Sequence, residues 1–327
     1  MGTKHLVIIH GRDKKPKCDE MLRLIKMALI AGLRRVNEEA AQRLEQEHIS
    51  LTFSYYGDIN NRLLLESRPR YGQLFEKEED GNFYVPDHFY DESMQQLINR
   101  PTDQMTPEEY DRLIANEPII HFYDDAAKKL SPYLSLFGMS TRAIKKLLPD
   151  LGAYLTSRVV GSQIRERLQA PLAKALSSGD DVMLLSHSMG CMVAYDVLWK
   201  FSRMSEYKHL WEHKVNEWLT LGNPLGEPAV KRSLYDSNEP DDGMYPANIR
   251  HWTNINAVDD YIAHDAAIED DFYLMLSRNL IESINDQPLI YTFWKDSHTG
   301  RPNPHNFFAY LNHPKVAEQV ANWILRS

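Results

Sequence analysis

Cysteine is nearly absent from this chain, with two residues in 327, Cys18 and Cys191. A disulfide-built scaffold needs more of them, and the pair suits a reducing, cytoplasmic setting. Long hydrophobic runs are missing as well. No apolar stretch reaches the ~18 residues of a membrane span, so no integral membrane segment is expected. The opening Met1-Gly2-Thr3-Lys4-His5 leads into a short apolar run that ends at His10-Gly11. That run is too short for a signal h-region and has no small-residue cleavage site. Leu6 also breaks the myristoylation pattern. Basic clusters are limited to short pairs such as Lys14-Lys15 and Lys145-Lys146, within a formal net charge of −9. Phosphate binding needs clustered Lys and Arg, so no nucleic-acid partner is expected. Internal repeats and low-complexity segments are absent too.

What is present is an α/β rhythm. Leu6-Val7-Ile8-Ile9 is a continuous apolar, β-branched run, which predicts a buried parallel strand. After Pro16, apolar residues at Leu22, Ile25, Leu29, Leu33, Val36, Ala40 and Leu44 predict one long amphipathic helix. Ile49 to Tyr56 alternates and predicts a second strand, closed at Gly57-Asp58. Residues 58–160 break the rhythm with charged loops, prolines and short helical patterns, and are read as an inserted, mainly helical cap. The rhythm then resumes with a helical segment marked by Ile164, Leu168, Leu172 and Leu176. Strands are expected at Val182–Leu185, Trp218–Leu221, Ile249–Ile255 and Leu289–Trp294, with a helix from Met189 to Arg203 and a last helix carrying Val316, Val320, Trp323 and Ile324. Together these imply a single α/β domain over 1–327, with a doubly wound, mostly parallel sheet.

The chemistry concentrates at Ser186-His187-Ser188-Met189-Gly190, which follows an apolar strand and opens a helix. Such a turn exposes a serine hydroxyl at the carboxyl edge of a sheet, and small residues two before and two after let the backbones approach. Ser186 stands where the usual pattern has glycine. A nucleophilic serine needs a base, a group that orients the base, and donors for the oxyanion. Met189 offers its backbone N–H at a helix N-terminus. The His10-Gly11-Arg12 turn offers a second donor, the Arg12 N–H, with Gly11 shaping the approach. Two adjacent carboxylates, Asp259 and Asp260, follow the Ile249–Ile255 strand, and only one can point at a histidine; Asp265 is a third choice. His305, in a loop leading to the last helix, is preferred as base over His298. His313, beside Pro314, reads as the start of that helix.

In their order Ser…Asp…His, the His10-Gly11 turn and the 186–190 elbow, these residues resemble the α/β-hydrolase superfamily, nearest its lipase and esterase branch. Gly222-Asn223-Pro224-Leu225-Gly226 is similar to that branch's G-S-P-L-G turn, and Pro304-His305-Asn306-Phe307 to its P-H-S-Y loop. The Trp252-x-Asn254 strand leading to Asp260-Tyr261-Ile262-Ala263 resembles its W-x-N…D-P-V-A segment, with Tyr261 in place of the proline. That alignment selects Asp260 over Asp259. The resemblance spans residues 1–57 and 161–327 and implies the α/β-hydrolase fold and an acyl-transfer reaction without naming a substrate.

The resulting expectation is a serine hydrolase. Ser188 attacks a small-molecule or lipid ester, His305 is the base, Asp260 orients it, and Met189 and Arg12 hold the oxyanion. Each such donor is worth ~3 kcal/mol. No cofactor and no metal are expected. Acyl transfer to another acceptor, thioester cleavage, and a non-catalytic binding protein on the same scaffold are the alternatives. His209-Leu210-Trp211-Glu212-His213 matches an inverted zinc-protease pattern, H-x-x-E-H. It lies between two α/β units without the helical scaffold such a site needs, and is read as chance. The cap aromatics, among them Tyr71, Phe75, Phe83, Tyr84, Phe89, Tyr90, Tyr110, Phe122 and Tyr123, are read as the cap's own core and as cover for the site.

Overall fold

The computed structural model describes residues 3–100, 106–115, 148–258, 260, 262–263, 267–297 and 300–326. Its centre is a six-stranded, all-parallel sheet. The strands are β1 (Lys4–Ile9), β2 (Ser50–Ser54), β5 (Asp181–His187), β6 (Val215–Leu221), β7 (Ile249–Ile255) and β8 (Ser283–Asp286), in the order β2-β1-β5-β6-β7-β8. Two short strands, β3 (Glu76–Lys77) and β4 (Phe83–Tyr84), form a separate antiparallel hairpin.

Helices cover both faces, which is why the central strands are apolar without alternation. Along β1, Leu6 and Ile8 face one core, and Val7 and Ile9 the other. The first core lies under helices Cys18–Val36, Glu38–Glu45, Phe307–Asn312 and Pro314–Leu325. The second lies under Arg158–Ser177, Met189–Arg203 and Glu269–Ser277. Trp218 of β6 and Trp252 of β7 stack at 4.3 Å between ring centroids inside the second core.

Several expectations change. The long helix after Pro16 is two helices, Cys18–Val36 and Glu38–Glu45. Asn37 divides them: its backbone is extended, and its side chain accepts the Ala40 N–H at 2.9 Å as an N-cap. Gly57 does not close β2 but starts the helix Gly57–Ser67. Leu289–Trp294 is not a sheet strand. Pro288 cannot donate to a ladder, and the segment keeps one isolated bridge, Ala257 to Ile290. The sixth strand is the preceding Ser283–Asp286, in which only Ile284 is apolar, so no hydrophobic run marked it. Among the described residues of 58–160, helices such as Gly57–Ser67, His88–Ile98 and Pro149–Thr156 share the stretch with the β3–β4 hairpin. Phe75, Tyr84 and Tyr110 are buried there, Phe83 is exposed, and Phe122 and Tyr123 lie outside the described residues.

Candidate active site

From β1 the chain turns to β2 on one side, while every later strand of the sheet lies on the other. The crevice at the carboxyl ends of β1 and β5 is therefore the switch point at which open α/β sheets bind ligands. Two segments meet there: the loop His10–Lys15 after β1, and the turn after β5.

That turn is one residue long. β5 ends at His187, the helix Met189–Arg203 begins at once, and Ser188 takes φ 56°, ψ −129° between them. A non-glycine residue in this region costs about 1–3 kcal/mol and persists only when its surroundings hold it. The Ser188 N–H donates to the Leu221 carbonyl at 3.0 Å, and the Ser188 carbonyl accepts the Cys191 N–H at 2.8 Å. Close backbone approach accounts for the glycines. A Cβ on Gly190 would lie 2.6 Å from the His10 carbonyl oxygen, and one on Gly11 would lie 2.7 Å from the Ser188 Cβ. Ser186 fits the first small position because its hydroxyl is used internally. It accepts the Trp218 indole N–H at 2.9 Å and donates to the Cys191 sulfur at 3.3 Å.

The Ser188 hydroxyl lies 2.8 Å from His305 Nε2. On the other side of the ring, Nδ1 lies 2.8 Å from each carboxylate oxygen of Asp260. An ionised carboxylate only accepts, so Nδ1 carries the proton and Nε2 accepts from the serine hydroxyl. The Asp260 side chain is fully buried. Burial opposes its charge, but the neighbouring His305 and hydrogen bonds from His305 and Tyr310 outweigh it and hold the carboxyl below the usual range. Ile262 N–H also donates to it, at 3.1 Å. Beneath the pair runs the Gly222–Leu225 turn. Gly222 has φ +51°, and a Cβ there would lie 2.9 Å from Asp260 Oδ2 and 3.0 Å from His305 Cε1. Asn254 and Asn256 brace this turn. Asn254 accepts from the Asn223 amide at 3.1 Å, and Asn256 accepts the Asn223 backbone N–H at 2.9 Å. Asp259, Asp265 and His298, the other candidates for acid and base, lie outside the described residues.

Three further contributors are Tyr310, His187 and Asp150; of these the sequence singles out only His187, as a structural residue of the elbow. Tyr310 donates its hydroxyl to Asp260 at 2.7 Å and accepts the Ala257 N–H at 2.7 Å. It sits in the apolar run Phe307–Leu311, where a tyrosine reads as core; a buried hydroxyl in such a run was the available hint. His187 lies 3.1 Å from the His305 carbonyl through Nε2 and stacks on Phe307 at 4.8 Å. A carbonyl only accepts, so the proton is on Nε2. Burial, then the adjacent His305, hold this imidazole far below the usual histidine value, so it stays neutral. The third is Asp150, a fully buried residue. It accepts the Asp13 N–H at 2.7 Å and the Arg12 Nε–H at 3.1 Å.

Next to Ser188, Met189 is the first residue of its helix, in the turn whose N–H groups have no intrahelical acceptor. Across from it, Tyr56 N–H donates to His10 Nε2 at 3.1 Å, which leaves the proton on Nδ1, 2.6 Å from the Gly11 carbonyl. In a trans peptide the N–H points opposite to the carbonyl. The Arg12 N–H is therefore directed away from the buried His10 ring. Above Ser188 is a cavity of about 600 Å³. Met21, Tyr90, Tyr110, Ile262, Trp294 and Phe308 supply apolar wall, and Arg12, Lys14, Lys15 and Arg301 supply charge.

His209 and His213 do not share one helical face, because the 3₁₀ helix Ser205–Leu210 ends between them. Among the described residues no group of three His, Cys, Asp or Glu side chains is placed to hold a metal ion. No helix among them is long and apolar enough to cross a membrane. No protein-family model matches the chain, nor does any curated protein or solved structure.

Proposed function

We propose that this protein is a serine hydrolase of the α/β-hydrolase kind, cleaving a carboxylic ester or related acyl bond through an acyl-enzyme. The observation that carries the reading is the continuous chain from the Ser188 hydroxyl through His305 to buried Asp260, each link 2.8 Å. His305 Nε2 takes the Ser188 proton as the oxygen attacks the acyl carbon. The carbonyl π electrons move to oxygen, where the Met189 and Arg12 N–H groups receive the charge. Collapse expels the alcohol, which takes the proton from His305, and leaves acyl-Ser188. Water then repeats the sequence, with His305 again as base, and releases the acid. Asp260 holds the ring in the required tautomer and stabilises the imidazolium. The apolar wall fits a small-molecule or lipid ester, and the stretch between β2 and β5 acts as a cap, lending Tyr90 and Tyr110 to the lining of the cavity that Ser188 also borders.

A fluorophosphonate probe, applied to the wild type beside Ser188→Ala and His305→Ala variants, tests this directly. Labelling of the wild type that disappears in both variants is expected, and an ester panel then identifies the acyl group. A folded wild type that neither takes the label nor cleaves any ester of the panel refutes the hydrolase and favours a binding protein on the same scaffold.

A further inference from the structure

The loop that carries the Arg12 donor is held from outside the sheet. Asp13 sits at φ +80°, a conformation that a non-glycine residue adopts only under constraint. The constraint comes from three places between β2 and β5. Asp150, near the start of helix Pro149–Thr156, binds the Asp13 N–H and the Arg12 guanidinium. Asn61, in helix Gly57–Ser67, accepts the Lys15 N–H at 2.8 Å and donates to the Lys15 carbonyl at 2.8 Å. Val85, just after β4, donates its N–H to the same carbonyl at 3.1 Å. Inside the loop, the Lys15 ammonium gathers the carbonyls of Arg12, Asp13 and Lys14 at 2.5, 3.2 and 3.3 Å. With those carbonyls drawn to one side, the loop has little freedom except through its anchors. Asn60, beside Asn61, donates to the Asp13 carbonyl at 3.4 Å, and of these four anchors Asp150 alone bears charge.

We propose that Asp150 is a positioning residue for the oxyanion: by clamping Asp13 and Arg12 it sets where the Arg12 backbone N–H points. The proposal rests on the acyl-transfer reading of Ser188. It adds that the stretch between β2 and β5 not only walls the cavity but also completes the oxyanion site. A shift of the helix Pro149–Thr156 would then be felt at the reacting carbonyl through a buried carboxylate rather than through the substrate.

The test is Asp150→Asn, which keeps the shape and one acceptor but removes the charge that pairs Arg12. A misplaced donor weakens the transition state and leaves ground-state binding intact. The expected result is a kcat reduced about 10–10²-fold with KM within about threefold. A trifluoromethyl ketone, whose adduct with Ser188 bears an oxyanion, should lose affinity in proportion to kcat/KM. A product-like alcohol should bind as before. A merely structural role would lower the melting temperature and leave the two inhibitors unequal only by chance. Should Asp150→Asn fail to fold, Arg12→Gln reads the same clamp. Its side chain is 22% exposed and its backbone N–H is retained, so a smaller loss with the same inhibitor pattern is expected. Wild type that hydrolyses esters, beside a folded variant of unchanged kcat or one that loses both inhibitors alike, overturns the proposal. Wild type that neither labels nor hydrolyses overturns the underlying reading instead.

Discussion

A Cβ added at Gly11 would lie 2.7 Å from the Ser188 Cβ, 3.1 Å from His187 Nδ1 and 3.2 Å from the His187 carbonyl oxygen. Carbons in contact sit about 3.5–4.0 Å apart, so Gly11→Ala demands a retreat of about 1 Å by the loop or the elbow. The elbow is pinned by the Ser188 N–H to Leu221 bond and by its short passage into the helix. Of the two, the loop is the part that must shift, against its anchors Asp150 and Asn61, and the proposed Arg12 donor moves with it away from the acyl carbonyl. A misplacement of that size costs about 10²-fold, and complete loss of one oxyanion donor costs about 10²–10³-fold, or about 2.7–4 kcal/mol. We therefore expect kcat/KM of Gly11→Ala to fall by about two to three orders of magnitude, with overpacking lowering stability by about 1–3 kcal/mol. Steady-state hydrolysis of the best ester, with a urea melt on the same preparation, measures both. A folded Gly11→Ala whose kcat/KM stays within about threefold of wild type would refute the assignment of this loop to the oxyanion.

Tyr310→Phe removes one donor to Asp260 and strands the Ala257 N–H, which should cost about 2–4 kcal/mol at pH 7 by chemical denaturation. Because the native carboxyl lies below the unfolded value near about 4, the stability it contributes is present above that pH and lost as pH falls through the native value. The wild-type advantage over Tyr310→Phe should therefore shrink below about pH 4, and a gap independent of pH would sink the account. Burial pushes the Cys191 thiol up to about 12, while Cys18 is exposed. One thiol per chain should react with iodoacetamide in the native protein and two in denaturant; rapid native alkylation of Cys191 would contradict its placement.

Much of the fold was legible because parallel strands buried on both faces are written as apolar runs. The strand Ile249–Ile255 and the helix from Met189 to Arg203 have the bounds their sequences suggested. The elbow was legible because a single-residue turn between strand and helix restricts the positions two before and two after it to small side chains. Failures arose where one local signal stood for a tertiary outcome. Asn37 lies inside the apolar periodicity that predicted one helix, and acts as a cap between two. The apolar Leu289–Trp294 looked like a strand, yet it braces the loop around His305, with Thr292 donating to the Pro304 carbonyl at 3.0 Å. Asp260 was chosen over Asp259 by resemblance, since two adjacent carboxylates differ locally only in which way they point. Asp150 and Asn61 gave no signal, because their partners lie 137 and 46 residues away.

The helices Phe307–Asn312 and Pro314–Leu325 pack on the first helix of the chain, so closely that a Cβ on Gly32 would lie 2.7 Å from the Leu311 carbonyl oxygen. His305 hangs from the start of that pair, 117 residues beyond the serine it meets. Contacts of such long sequence separation are slow to form, because loop closure must be met before they contribute. During synthesis the strand, the elbow and Ser188 can all be in place while His305 has yet to reach the serine. His305 reaches Ser188 only when the helices Phe307–Asn312 and Pro314–Leu325 dock onto Cys18–Val36. On the proposed function, a molecule in which these helices have not yet docked would be inert toward esters, and the appearance of the proposed activity would time that docking.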